Sequence, residues 1–214
     1  MVMTQLAMPG HLHELTVRYL AQALFERGEV ELTASSVFTD ERGTWANPAT
    51  LTQPRPLQPN EGWYWDGIAE GSGRLWGGCV ESLLGQVAVG HYLPTSAALQ
   101  GTVLYLETSE WRPPAWVLAY LLTGFGERGW LDLFQAVLVG RPQEWHHEQV
   151  LTPAAQAAYR QEQRETIIRT VRRYNTQIPI VQNVDFGHTD PQIVLPSGQQ
   201  ARVLTAERRI FFAY

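Results

Sequence analysis

Three side chains in this sequence stand where their type could do chemistry: His188, Glu81 and Cys79. His188 lies in Asn183-Val184-Asp185-Phe186-Gly187-His188-Thr189-Asp190-Pro191, just past a run that predicts a buried strand. An α/β fold presents its site at such strand ends, and an imidazole there can take and return a proton near neutral pH. The competing reading is a histidine that caps a turn beside Asp185 or Asp190. Glu81 follows Gly77-Gly78-Cys79-Val80 at a strand-to-helix junction. Small residues there let the backbone come close, and a first-turn carboxylate is favoured by the helix dipole, so an ordinary first-turn glutamate reads equally well. Cys79 would be a nucleophile if a histidine or a helix terminus lowered its pKa, but a lone cysteine more often acts as a small buried hydrophobe. His11 and His13 are two apart at a helix start and point to different faces. His146, His147 and Glu148 are adjacent and do not converge on one ion. No metal and no cofactor is expected. Trp45, Trp63 and Trp65 could form a stacking platform, although core packing or domain docking accounts for them more simply.

Periodicity supplies the elements that must position these groups. Apolar residues at helical spacing predict an amphipathic helix over 12–25, stopped by Gly28. Prolines and turn formers from 39 to 60 read as an irregular connection and a domain boundary. Next comes Trp63-Tyr64-Trp65, a glycine-rich stretch read as a short strand and turn, and a helix over 81–87. Buried strands are predicted at 102–106 and 136–139, with a helix between them that begins at Pro113-Pro114. Thr152-Pro153 opens a long helix with Ile167, Ile168, Val171 and Tyr174 inside and Arg160, Arg164, Arg172 and Arg173 on a solvated outer face. Short strands follow at 178–182, 193–195, 201–204 and 210–213. The alternation argues for an α/β fold with a mixed sheet and an extra small sheet.

Composition removes several classes of function. The 214 residues are 44% hydrophobic and 17% charged, enough for one large or two small domains with a sizeable core. A formal charge of -5 leaves no electrostatic footprint for nucleic acid or an anionic membrane. Lysine is absent, which excludes Schiff-base and P-loop chemistry. The single cysteine points to a reducing, cytoplasmic setting. Neither a signal peptide nor a run of transmembrane length is read.

Five segments in order carry a more specific signal: 62–65 (Gly-Trp-Tyr-Trp), 73–82 (Gly-Arg-Leu-Trp-Gly-Gly-Cys-Val-Glu-Ser), 104–110 (Leu-Tyr-Leu-Glu-Thr-Ser-Glu), 138–142 (Leu-Val-Gly-Arg-Pro) and 183–192. Together they resemble the LD-carboxypeptidase family of serine peptidases, in particular its microcin C immunity branch, over about residues 3–204. The resemblance implies a swivelling β/β/α-type C-terminal domain over 61–214, with residues 1–38 a remnant helix of a Rossmann-like N-terminal domain and 39–60 a linker. It places the family's glutamate on Glu81 and its histidine on His188. The family's nucleophilic serine has no counterpart: Ser35-Ser36, Ser72 and Ser82 all lack the tight glycine-flanked turn. The expectation is therefore a C-terminal portion that is inactive alone and needs an N-terminal domain, with a homodimer possible. Its substrate would be a murein LD-peptide or a peptidyl-nucleotide toxin, which implies peptidoglycan recycling or microcin immunity. A non-catalytic partner-binding remnant and a Cys79-dependent thiol hydrolase are the alternatives.

Overall fold

The computed structural model describes residues 8, 10, 12–41, 46–146, 149 and 151–214. Along the chain run α1 (Glu14–Phe25), β1 (Glu29–Glu31), β2 (Val37–Phe38), β3 (Gln58–Pro59), β4 (Tyr64–Asp66), β5 (Glu70–Cys79), α2 (Val80–Val89), α3 (Ser96–Leu99), β6 (Val103–Glu107), α4 (Ala115–Glu127), β7 (Ala136–Arg141), α5 (Pro153–Arg172), β8 (Ile180–Gly187), β9 (Gln200–Leu204) and β10 (Arg209–Ala213). Eight of the strands form one mixed sheet in the order β1-β10-β9-β5-β6-β7-β8-β4, and β2 pairs with β3 as the small second sheet. Strands β5 to β8 are parallel, and antiparallel strands extend them on both sides.

The glycine-rich stretch is one continuous strand rather than a short strand and a turn. β5 pairs antiparallel with β9 along its first half and parallel with β6 along its second, so it joins the two halves of the sheet. Its neighbours come very close. A Cβ added at Gly73 would run into the Gly101 carbonyl, and one at Gly77 into the Tyr105 carbonyl. Glycine is what the contact requires, and that need hides the strand from propensity-based reading.

Two cores lie on opposite faces. The first packs α2, α4 and α5 on the parallel strands through Leu83, Leu118, Leu122, Phe125, Ile167 and Val171. The second lies under α1, where Leu15 and Tyr19 join Leu138, Phe186, Ile210 and Phe212. Helix α1 starts at His13, whose side chain accepts from Leu15 N, so this histidine is a cap.

Three sequence expectations change. Residues 12–38 hold more than the expected helix, because β1 pairs with β10 and Tyr19 is fully buried with its hydroxyl accepting from Thr33 N. The strand expected at 193–195 is irregular; Ile193 N instead donates to the Asp185 carbonyl. Of the arginines expected on a solvated face, Arg173 is exposed, whereas Arg160, Arg164 and Arg172 are engaged. Arg160 bridges Glu144 and Glu61, Arg164 stacks on Tyr64, and Arg172 pairs with Asp66, because β4 lays the 61–66 segment along that helix.

Candidate functional site

His188 follows the last residue of β8, and Gly187 sets its direction. Gly187 has φ 105°, and a Cβ there would meet Glu107 Cβ at 3.1 Å, so a side chain would be strained by the backbone and would crowd Glu107. Glu107 ends β6, and Cys79 ends β5 in register with it. The ends of three strands therefore bring Cys79, Glu107 and His188 together, at the carboxyl edge of the parallel sheet where an α/β fold places its chemistry. A cleft of about 290 Å³ opens here, lined by Gly78, Tyr105, Glu107, Phe186, His188 and Gln192 among others.

The carboxylates facing the imidazole come from β6 and the loop after it. Glu107 Oε2 stands 3.4 Å from His188 Nε2, and Glu110 Oε2 stands 2.6 Å from Nδ1. Glu81, expected from the sequence to hold the imidazole, has other work. Its carboxylate accepts from Ser109 N at 3.1 Å and from Ser109 Oγ at 2.5 Å, and Oε2 takes the Cys79 thiol at 3.2 Å. The first turn of α2 thus fixes the loop that carries Glu107 and Glu110 at its two ends. The structure sets the Glu107 and Glu110 carboxylates beside His188 and engages Glu81 with Ser109 and Cys79. Sequence reading passed over Glu107, although it sits in the 104–110 motif at the end of a predicted parallel strand, which is the rule that could have found it.

The electrostatics follow from this crowding. Burial raises the Glu107 pKa, the nearby Glu81 charge adds to the effect, and His188 opposes it. Burial also pushes the Cys79 thiol up, with Glu81 and Glu107 acting in the same direction against a hydrogen bond from the Ser82 backbone. A thiol surrounded in this way stays protonated, which works against its use as a nucleophile.

Behind the site, Asp185 is fully buried and collects donors from distant segments: Arg141 Nη2 at 2.8 Å, Trp63 Nε1 at 2.9 Å and Ser35 N at 3.1 Å. Trp63 and Trp65, with ring centroids 6.2 Å apart, pack against the second core. Both are half-buried. Trp45, His11, His147 and Glu148 lie outside the described residues. Among the described residues no group of three or more His, Cys, Asp or Glu side chains could hold a metal ion, and no helix is long and apolar enough to cross a membrane.

The motifs at these strand ends match a known family model. Residues 72–203 fit the LD-carboxypeptidase C-terminal domain. The chain belongs to the LD-carboxypeptidase family. Among solved structures it is similar to an MccF-like protein from Streptococcus pneumoniae in complex with AMP, at 26% identity and a TM-score of 0.77, covering 94% of this chain and 58% of that one. It shares the fold of an MccF-like protein from Bacillus anthracis str. Ames, at 20% identity and a TM-score of 0.71, covering 94% of this chain and 56% of that one. The fold is also that of MccF in complex with glutamyl sulfamoyl guanosine, at 20% identity and a TM-score of 0.72, covering 95% and 57% of the two chains. The chain thus spans less than three fifths of these relatives. No curated protein matches it.

Proposed function

We propose that this LD-carboxypeptidase family member supplies the proton-relay half of a serine-type carboxypeptidase site. His188 takes the proton of a serine hydroxyl and returns it to the leaving amine, and Glu107 orients the imidazole and stabilises its cationic form. Glu81, placed in the catalytic pair on resemblance, acts one step back by fixing the 107–110 loop through Ser109. The observation that carries this reading is the 3.4 Å approach of Glu107 to His188 across two strand ends, in the cleft at the carboxyl edge of the sheet. The serine and the oxyanion donors come from a nucleophile-bearing unit corresponding to the remainder of the longer relatives. The hydroxyl of Ser109 is already given to Glu81, and that of Ser35 to the Val37 carbonyl.

The bond cleaved is an amide of a murein LD-peptide or of a peptidyl-nucleotide. The second has the better support, because the Streptococcus pneumoniae relative is in complex with AMP and MccF with aspartyl sulfamoyl adenosine. A cytoplasmic setting and a role in toxin immunity go with that choice, peptidoglycan recycling with the other.

The test is turnover of both substrates by the chain alone and with a nucleophile-bearing unit co-expressed. The chain alone is expected to be inactive, and the two-part enzyme active. His188→Ala should abolish turnover, and Glu107→Gln should lower kcat by roughly four orders of magnitude, as loss of an orienting carboxylate does. Glu81→Gln should be milder. Full activity in Glu107→Gln, or robust turnover by the lone chain, would overturn the assignment.

A further inference from the structure

The two ring nitrogens of His188 face unequal partners. Glu107, on the Nε2 side, belongs to a strand end and leaves only 16% of its side chain exposed. Glu110, on the Nδ1 side at 2.6 Å, belongs to the loop after β6 and leaves 47% exposed. A proton relay needs one nitrogen on an orienting carboxylate and the other on the group that gives up its proton. With a carboxylate at each nitrogen, a hydroxyl can enter only if one of them leaves.

We infer that Glu110 is a displaceable clamp, a positioning residue that holds the His188 ring while no nucleophile is docked and turns into solvent when one arrives. Its purpose rests on the peptidase reading; the contact itself does not. Glu107 is not the group that leaves. Its backbone is in register with Cys79 in the β5–β6 ladder, and Gly187 packs against its Cβ. Glu110 can leave by side-chain rotation with its backbone held, because Glu81 pins the preceding residue, Ser109, by both backbone and hydroxyl. Among the described residues, Cys79 and Glu81, the other titratable groups beside Glu107, engage each other and that loop. They remain in place when Glu110 turns away.

Diethylpyrocarbonate, which acylates an unprotonated and uncovered imidazole nitrogen, reads the clamp in the intact protein without any substrate. Carbethoxylation of His188, followed by peptide mass spectrometry, should be faster in Glu110→Ala and Glu110→Gln by roughly threefold or more, in line with loss of a half-exposed ion pair. Glu110→Asp, which keeps the charge, should return the rate towards wild type, a rescue that a purely structural role would not give. Wild-type rates in both Glu110→Ala and Glu110→Gln, with circular dichroism showing folded protein, would sink the inference. In the two-part enzyme, Glu110→Gln should turn over at least as fast as wild type. A loss as large as that of Glu107→Gln would make Glu110 the orienting carboxylate and would also overturn the clamp. Faster modification with no turnover in any preparation keeps the clamp and counts against the peptidase reading.

Discussion

At the level of single residues, burial decides what the carboxylates of this protein can do. Glu144 illustrates it away from the cleft: it is 1% exposed, and burial pushes its pKa from the usual 4.5 to about 7 even though Arg160 holds it in a charge-assisted pair and pulls the other way. The folded state therefore keeps this proton more tightly than the unfolded chain does. Its contribution is greatest below the unfolded value and is lost as pH rises from near 4.5 towards 7. A decline on the order of 3 kcal/mol is expected across that window. Urea midpoints measured from pH 4.5 to 8 should show it, and Glu144→Gln should flatten the slope; an unchanged slope would assign the pH dependence to other groups. The same physics explains what the sequence could reveal of the site. His188 was legible because glycine and a strand end announce it. The strand-end rule reaches Glu107 as well, but its approach to His188 depends on the register between β5 and β6 and on the position of Gly187, neither of which leaves a periodic trace.

The elements show where periodicity succeeds and where contact overrides it. The helices α1, α4 and α5 and the buried strands β6 and β7 follow directly from apolar spacing, since each buries one continuous face or both faces of a strand. The 39–60 connection is the instructive departure. It reads as a boundary because prolines break its pattern, yet its two ends are tied to β8 and to the segment that follows it. Thr39 exchanges backbone hydrogen bonds with Asp190, and Asn60 Nδ2 reaches the Ser35 carbonyl at 2.7 Å and Asp185 at 3.4 Å. Arg141, 1% exposed, lies over the Phe38 ring while its guanidinium pairs with Asp185. Such long-range polar staples carry no local signature. Asp185→Ala removes the acceptor for Ser35, Trp63 and Arg141 at once and leaves a buried guanidinium without its counter-charge. A loss of about 3–5 kcal/mol follows from breaking a buried pair. Replacing both partners, Arg141→Met with Asp185→Leu, should cost less than Asp185→Ala alone. Chemical denaturation of the single and double variants measures the difference, and a double variant weaker than Asp185→Ala would show that the staple's geometry matters more than its charge.

At the scale of the whole molecule, the question is whether residues 61–214 form an independent unit, as the proline-rich connection suggests. The sheet argues that they do not. β10 would become an open edge without β1, with the amide and carbonyl groups that now pair with Glu29, Val30 and Glu31 exposed to any passing strand. The second core would lose Leu15, Tyr19 and Leu32, which are 7%, 0% and 5% exposed. At about 1.5–3 kcal/mol for each fully buried large side chain, their removal is comparable to the whole stability of an ordinary domain. The shortened chain should therefore lose cooperative unfolding, bind the dye ANS through the uncovered face of β8 to β10, and self-associate in gel filtration more than the 214-residue chain measured beside it. The cleft should suffer with it, because Phe186, which precedes Gly187 and His188, packs in this same second core. A shortened chain that melts in one sharp transition near the parent's temperature would mean that α1 and β1 are appendages, and that the sheet holds its site without them.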